Sequence, residues 1–329
     1  MTNNADDILM SCNLKKNLPP LKMICDRLSN ILIDWDFDGT IADTEIAWYY
    51  IGKRYLRHFY NISQEQYDRL TIEVYSQEFA GISPLSFTEK ATRLGFLNKE
   101  QAEKNISEKE AYDFILSCFL ENLNGKPLGD EYQRPKFTQG TYDLIRWLDA
   151  KGKINNNIIQ HITSASTKAA LIANVQALAN VNQDKADNIL QKWLNDKVVL
   201  SCFDVMGADN QEVFQKVNAF YTGDDKNFCK PSPVVHIFSL LLALKDSRDI
   251  DTVIILEDSQ TGVLSGKNFI DFLTNNRFAI ERKTLGIKDG VQVKIIGYLL
   301  TKHHLPADKL KQSGADIVVH SADEVKELL

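Results

Sequence analysis

The chain has 329 residues, 44% of them hydrophobic, enough to bury the core of one large domain or two ordinary ones. Charged residues make up 25% and the formal net charge is −6, which leaves no basic stripe of the kind that wraps a nucleic-acid backbone. The longest apolar runs fall far short of a membrane span, and the first residues lack the basic-then-apolar pattern of a signal peptide. Five cysteines, Cys12, Cys25, Cys118, Cys202 and Cys229, are scattered without CxxC spacing, which favours reduced thiols over a disulfide framework. The expectation is a soluble, cytoplasmic, enzyme-sized protein that binds neither nucleic acid nor membrane.

Residues 1–27 are polar, with Pro19-Pro20 in the middle, and read as a loosely structured lead. Ile31-Leu32-Ile33 opens a short β-branched run that ends in carboxylates, the pattern of a strand. From Thr44 to about Arg134 the pattern is helical. Trp48, Ile51, Tyr55 and Phe59 recur every three or four residues, as do Tyr112, Ile115, Leu116 and Phe119. Gly81-Ile82-Ser83-Pro84 and Asn124-Gly125-Lys126-Pro127 break this block. After Gly140 a helix through Leu144, Ile145 and Leu148 stops near Lys151-Gly152 and leads to a strand at Ile158–Thr163.

Two helices, Lys168–Asn180 and Lys185–Leu194, come next, then a strand at Cys202–Met206, a helix at 211–219 and a polar loop, Thr222–Asn227. Further strands are expected at Val253–Leu256, Val293–Tyr298 and Ile317–Val319. Strands that alternate with helices imply a parallel sheet with right-handed crossovers. The expected fold is therefore α/β: a Rossmann-like parallel-sheet core formed by 28–45 and 135–329, with an α-helical cap, 46–134, inserted after the first strand. The material between Thr163 and Lys230 exceeds one helix and one strand. It is expected to pack beside the sheet, away from the cap, as an elaborated surface or a partner-binding site.

Asp36-Phe37-Asp38-Gly39-Thr40 ends the first strand. Side chains alternate along a strand, so Asp36 and Asp38 share a face if the extended geometry continues. Gly39 lets the chain leave sharply and keeps both carboxylates at the strand's carboxyl end, where open α/β sheets bind ligands. Downstream, Glu257-Asp258 follows four apolar residues, and paired acids at a strand end repel unless a cation or base joins them. His161, inside an apolar strand, reads as a hydrogen-bonded core histidine.

Asp36 through Glu45 resembles the first motif of the haloacid dehalogenase-like hydrolases, in the branch with a helical cap after that motif (β-phosphoglucomutase and phosphoglycolate phosphatase relatives). The later motifs follow in the family's order. Ile158–Ser164 is similar to the second, with Thr163 as the phosphate-binding hydroxyl or Ser164 if the register slips by one. Lys230-Pro231-Ser232-Pro233 resembles the third and Val253–Gly262 the fourth. Asp34 stands where the family has an apolar residue, and no chemistry is assigned to it.

The resemblance implies a magnesium-dependent phosphohydrolase of small phosphorylated metabolites that works through an aspartyl-phosphate. Asp36 is the implied nucleophile and Asp38 the acid and base. Magnesium is held by Asp36 and Asp258, by the Asp38 carbonyl, and by Glu257 directly or through water, while Thr163 or Ser164 and Lys230 bind phosphate. An aspartate at 38 favours phosphoester chemistry over cleavage of carbon–halogen bonds. The resemblance also places Thr44 and Glu45 near the cap hinge. Arg54, Arg57, Lys90 and Arg93 are cap candidates for an anionic substrate, or simply solvated helix faces. The alternatives are a phosphosugar mutase of the β-phosphoglucomutase type and a non-catalytic interaction protein on the same scaffold. The mutase reading meets two departures: Pro84 follows the loop where mutases carry a phosphate-clamping arginine, and Thr167 falls where they carry a lysine.

Overall fold

β1 (Ile31–Trp35) is buried along its whole length, which suits its β-branched and aromatic residues. The structure, a computed structural model, describes residues 30–80, 82, 84–129, 134–155, 157–181, 188–202, 211–220, 229–245, 249–301 and 305–329. The expected lead, residues 1–27, and the loop Thr222–Asn227 lie outside the described residues.

Among the described residues the remaining strands are β2 (Ile158–Ser164), β3 (Val199–Ser201), β4 (Thr252–Glu257), β5 (Gln292–Tyr298) and β6 (Ile317–Val319). They form one six-stranded sheet in the order β3-β2-β1-β4-β5-β6. Every neighbouring pair is parallel. The α/β parallel-sheet core expected from the sequence is thus present. The strand order reverses beside β1, and the crevice at such a reversal is where doubly wound sheets take their ligands. One strand differs from expectation. β3 starts before Cys202, because the apolar run Val198-Val199-Leu200 pairs with β2 in the register Ile162↔Val199. Residues 203–210 lie outside the described ones.

Between β1 and β2 run α1 (Glu45–Tyr60), α2 (Gln64–Arg69), α3 (Ile72–Glu78), α4 (Pro84–Arg93), α5 (Lys99–Ala102) and α6 (Glu108–Leu123). Their starts are written in the sequence. Ser63, Asn98 and Ser107 each close a capping box with the residue three places on, satisfying amides that a helix end leaves open. This helical segment has its own apolar core, which includes Tyr55, Leu56, Tyr60, Leu70, Phe79 and Phe87.

Then follow α7 (Thr141–Asn155), α8 (Lys168–Val181), α9 (Ile189–Asn195), α10 (Gln211–Phe220), α11 (Val234–Lys245), α12 (Gln260–Thr274), α13 (Ala279–Leu285), α14 (Ala307–Ser313) and α15 (Ala322–Leu328). Ile31, Ile33 and Trp35 face one layer, against Leu148 of α7, Val175 of α8, Trp193 of α9 and Val325 of α15. Leu32 faces the other, against Val217 of α10, Phe238 of α11, Phe269 of α12 and Leu285 of α13. Both faces of the central strands are covered, which is why β4 reads as an unbroken apolar run.

The material after Thr163 does not stay clear of the helical segment. Ala170, near the start of α8, is buried in a cluster with Ile51, Ile115, Cys118 and Phe119 of α1 and α6. Its small side chain lets the helices approach closely, so α8 bridges the sheet and the helical segment.

Candidate active site

The Asp36 amide donates to the Leu256 carbonyl at 3.0 Å, so sheet geometry runs one residue past β1. The chain then turns on the Phe37 carbonyl, which accepts from the amides of Ile41 and Ala42 at 3.0 and 2.9 Å. Gly39 sits at φ +81°, and a Cβ there would fall 1.8 Å from Asp258 Oδ2. Only glycine fits, both for the left-handed backbone and for the approach of Asp258. Gly262 does the same for Glu257: its missing Cβ leaves space that the carboxylate occupies, 1.9 Å from Oε2.

Lys230, 5% exposed, reaches in ahead of α11. Its ammonium donates to Asp36 Oδ1 at 2.6 Å, to the Thr163 carbonyl at 2.9 Å and to Glu257 Oε1. Three N–H groups meet three acceptors from β1, β2 and β4. Burial works against the charge, but Asp36 and Glu257 outweigh it and hold the Lys230 pKa above its ordinary value.

The carboxylates are held the other way. Burial raises the Asp36 pKa against the pull of Lys230. Burial, then the charge of Asp36, pushes Glu257 up to about 8. Asp258 is raised well above the usual carboxylate range by burial, with Asp36, Glu45 and Glu257 adding repulsion. Oxygens of Asp36, Glu257 and Asp258 lie within 4.8 Å of one another. A buried all-oxygen cluster with more negative charge than one lysine offsets fits a hard divalent cation such as magnesium.

Asp38 collects donors. Thr44 Oγ1 and Trp48 Nε1 bond its Oδ1 at 2.6 and 2.8 Å, and Ser166 Oγ bonds its Oδ2 at 2.5 Å. Trp48 and Ser166 are contacts that sequence reasoning missed. Trp48 belongs to an apolar helical stripe, and nothing in that periodicity marks its indole N–H. Ser166 was visible only as the second serine after the strand end.

The structure separates Thr163 from Ser164. Thr163 is fully buried and its hydroxyl turns to the Trp35 carbonyl at 3.5 Å, whereas Ser164 lines the cavity over the carboxylates. Pleating decides this, since adjacent residues of β2 point to opposite faces. Asp36, Asp38, Ser164, Lys230 and Asp258 share that cavity.

The cap candidates do not reach it. Arg54 bonds the carbonyls of Leu128 and Pro127 at 2.9 and 2.8 Å, and Arg57 bonds Gln64 at 2.6 Å. Lys90 pairs with Glu78 at 3.1 Å, and Arg93 is exposed. They belong to helix surfaces, where long charged side chains keep their heads hydrated.

Asp34 has partners of its own behind the site. Its carboxylate accepts from Ser239 Oγ at 2.5 Å and from His236 Nδ1 at 2.8 Å, and His161 Nδ1 meets the same serine at 2.8 Å. All four side chains are buried. His161 is thus the hydrogen-bonded core histidine expected from its strand. The network ties α11, which follows Lys230, to β1 and β2.

No protein-family model matches the chain, and no curated protein does. Solved structures do. A hydrolase from Pseudomonas syringae superposes with a TM-score of 0.52 at 16% identity, covering 91% of this chain and 98% of that one. A predicted phosphoglycolate phosphatase from Haemophilus somnus gives 0.51 at 15% identity, with 91% and 98% covered. A HAD hydrolase of family IA, variant 3, from Entamoeba histolytica gives 0.50 at 13% identity, with 90% and 96% covered. At such identities the likeness is one of architecture, and it establishes that this chain is built on the haloacid dehalogenase-like fold.

Proposed function

We propose that the protein is a magnesium-dependent phosphohydrolase of small phosphorylated metabolites that works through an aspartyl-phosphate on Asp36. The observation that carries this reading is the position of Asp36. It stands at the end of the central strand, bonded to Lys230 at 2.6 Å and clustered with Glu257 and Asp258 on the floor of a cavity. The hydrolase and phosphatase among the structural neighbours support the same class of chemistry.

In this reading Asp36 attacks phosphorus, the phosphorus–ester oxygen bond breaks, and Asp38 protonates the departing oxygen. Asp38, now a carboxylate, takes a proton from water as the water oxygen attacks phosphorus. The bond to Asp36 then breaks, releasing phosphate and restoring both carboxyl groups. The donors from Thr44, Trp48 and Ser166 orient Asp38 for both transfers. Lys230 fixes Asp36 and sets a positive charge beside the attacking carboxylate, and Ser164 on the cavity wall would offer its hydroxyl to the phosphoryl oxygens. Asp36, Asp258 and the Asp38 carbonyl, with Glu257 beside them, would hold a magnesium ion, which would offset the repulsion between a carboxylate and a phosphate dianion. The helical segment, 46–134, acts as the cap that limits water in the first step.

The test is phosphate release from a panel of phosphate monoesters by the wild type and by Asp36→Asn. The variant keeps the shape and loses the attacking charge, so release should drop to background. Retention of a substantial fraction of wild-type turnover would refute the assignment.

A further inference from the structure

The cavity changes character from floor to roof. Its floor carries Asp36, Asp38, Ser164, Ser166, Lys230 and Asp258, while the helical segment supplies Ile51, Tyr55, Tyr75, Phe87 and Ile115. The polar ends of two roof residues already have partners. The Tyr55 hydroxyl bonds Thr88 at 3.1 Å, and the Trp48 indole N–H bonds Asp38 at 2.8 Å, so both present rings to the cavity. Gly52 lines it too, and a Cβ there would come within 3.0 Å of the Phe87 ring, which therefore lies directly over the α1 backbone. Phe87 in turn packs edge-on to Tyr55 at 6.0 Å and against Phe79 at 4.6 Å, a braced aromatic wall.

Charge runs the same way. Among the described lining residues Lys230 is the sole cation, and its N–H groups are bonded to Asp36, Thr163 and Glu257. Glu45, pushed up to about 7 by burial, also lines the cavity, so a second anionic group on a substrate would meet carboxyl groups and rings without a counter-charge. Against a roof that is mostly rings and hydrocarbon, with hydroxyls only on its tyrosines, among them Tyr75 and Tyr112, sugar hydroxyls would lose more water contacts than they regain. An apolar group would displace water from the same surface at a gain.

We infer that the natural substrate is a phosphate monoester of a hydrophobic alcohol or phenol, whose single anionic group is the phosphate. Its organic part seats against Ile51, Tyr55, Tyr75, Phe87 and Ile115. This rests on the functional reading above and narrows it.

The experiment compares kcat/KM of the full chain, with magnesium, for 2-naphthylmethyl phosphate, benzyl phosphate, glycerol phosphate, glucose 6-phosphate and phosphoglycolate, all esters of alkyl alcohols, so that leaving-group acidity does not set the order. The naphthylmethyl and benzyl esters should exceed the three polar ones by about tenfold or more, the discrimination apolar pockets reach. Phe87→Ala should shrink the naphthylmethyl-to-glycerol ratio at least severalfold, chiefly through KM for the naphthylmethyl ester. Phe87→Leu, which keeps an apolar side chain, should restore part of it. Equal or better turnover of the polar esters by the wild type would overturn the inference and leave phosphohydrolase activity standing. An unchanged ratio in a folded Phe87→Ala protein would overturn it as well. No release from any ester would overturn the functional reading, and the inference with it.

Discussion

Asp34 and His236 meet beneath the carboxylate cluster, Nδ1 of the imidazole 2.8 Å from Oδ2 of the carboxylate, with neither side chain exposed. A carboxylate only accepts, so the imidazole carries its proton on Nδ1. Its Nε2 is buried without a hydrogen-bond partner among the described residues. Protonation would place a second N–H there with nothing to receive it. Burial lowers the His236 pKa below its ordinary 6.5, and Asp34 only partly counters this.

That relationship predicts acid sensitivity. With the folded-state pKa depressed, the unfolded chain binds more protons, so stability rises with pH across the window up to 6.5 and falls as the pH drops below it. The loss should be on the order of 1 kcal/mol for each unit of depression. Urea midpoints measured across this window on the wild type and on His236→Gln, which keeps a donor but does not titrate there, check it. Identical slopes for the two proteins would rule out His236 as the source.

Lys230→Met should both inactivate and destabilise. Removing the ammonium leaves Asp36 and Glu257 buried without their shared partner. Breaking a buried ion pair from one side costs roughly 3–5 kcal/mol. Denaturant unfolding of the metal-free protein gives the number. A midpoint within error of wild type would mean that the carboxylates find water or take up protons at little cost.

Gly39→Ala targets the metal cluster through space alone. The new methyl group would occupy the position 1.8 Å from Asp258 Oδ2, at a φ of +81°. Asp258 must swing away, and the magnesium concentration giving half-maximal phosphate release should rise about 10–100-fold. Circular dichroism verifies that the sheet survives. An unchanged magnesium requirement would separate Asp258 from the metal.

Magnesium should stabilise the protein more in mildly alkaline than in mildly acidic solution. Glu257, raised to about 8 from an ordinary 4.5, contributes stability that is full below 4.5 and lost as the pH rises through 8 in the metal-free protein. A cation binds the deprotonated cluster, so it recovers the most where that loss is greatest. Melting temperatures with magnesium and with excess chelator, at about pH 6 and about pH 8, test the sign. A larger magnesium effect at the lower pH would contradict it.

Much of this architecture was legible in the sequence. The apolar run before Asp36 and the alternation after Gly140 specify a parallel sheet, because strands buried on both faces need continuous hydrophobic stretches. Asp36-Phe37-Asp38-Gly39 marks a strand end turning on glycine, and Glu257-Asp258 marks a second strand end rich in charge. Those are local properties, written in adjacent residues. Thr163 was the expected hydroxyl, with Ser164 only if the register slipped by one, yet Ser164 is the one that lines the cavity: one step of register reverses every side chain, and only the pairing of β2 with β1 and β3 sets that step. Asp34 was unexplained for a related reason. Its partners, His236 and Ser239, stand one turn apart on a helix more than two hundred positions downstream, and only the packing of α11 under β1 brings them within bonding distance. Periodicity tells which face of an element is apolar, but a hydrogen bond or a cavity wall depends on which two faces meet. That is settled by the three-dimensional packing of elements far apart in the chain.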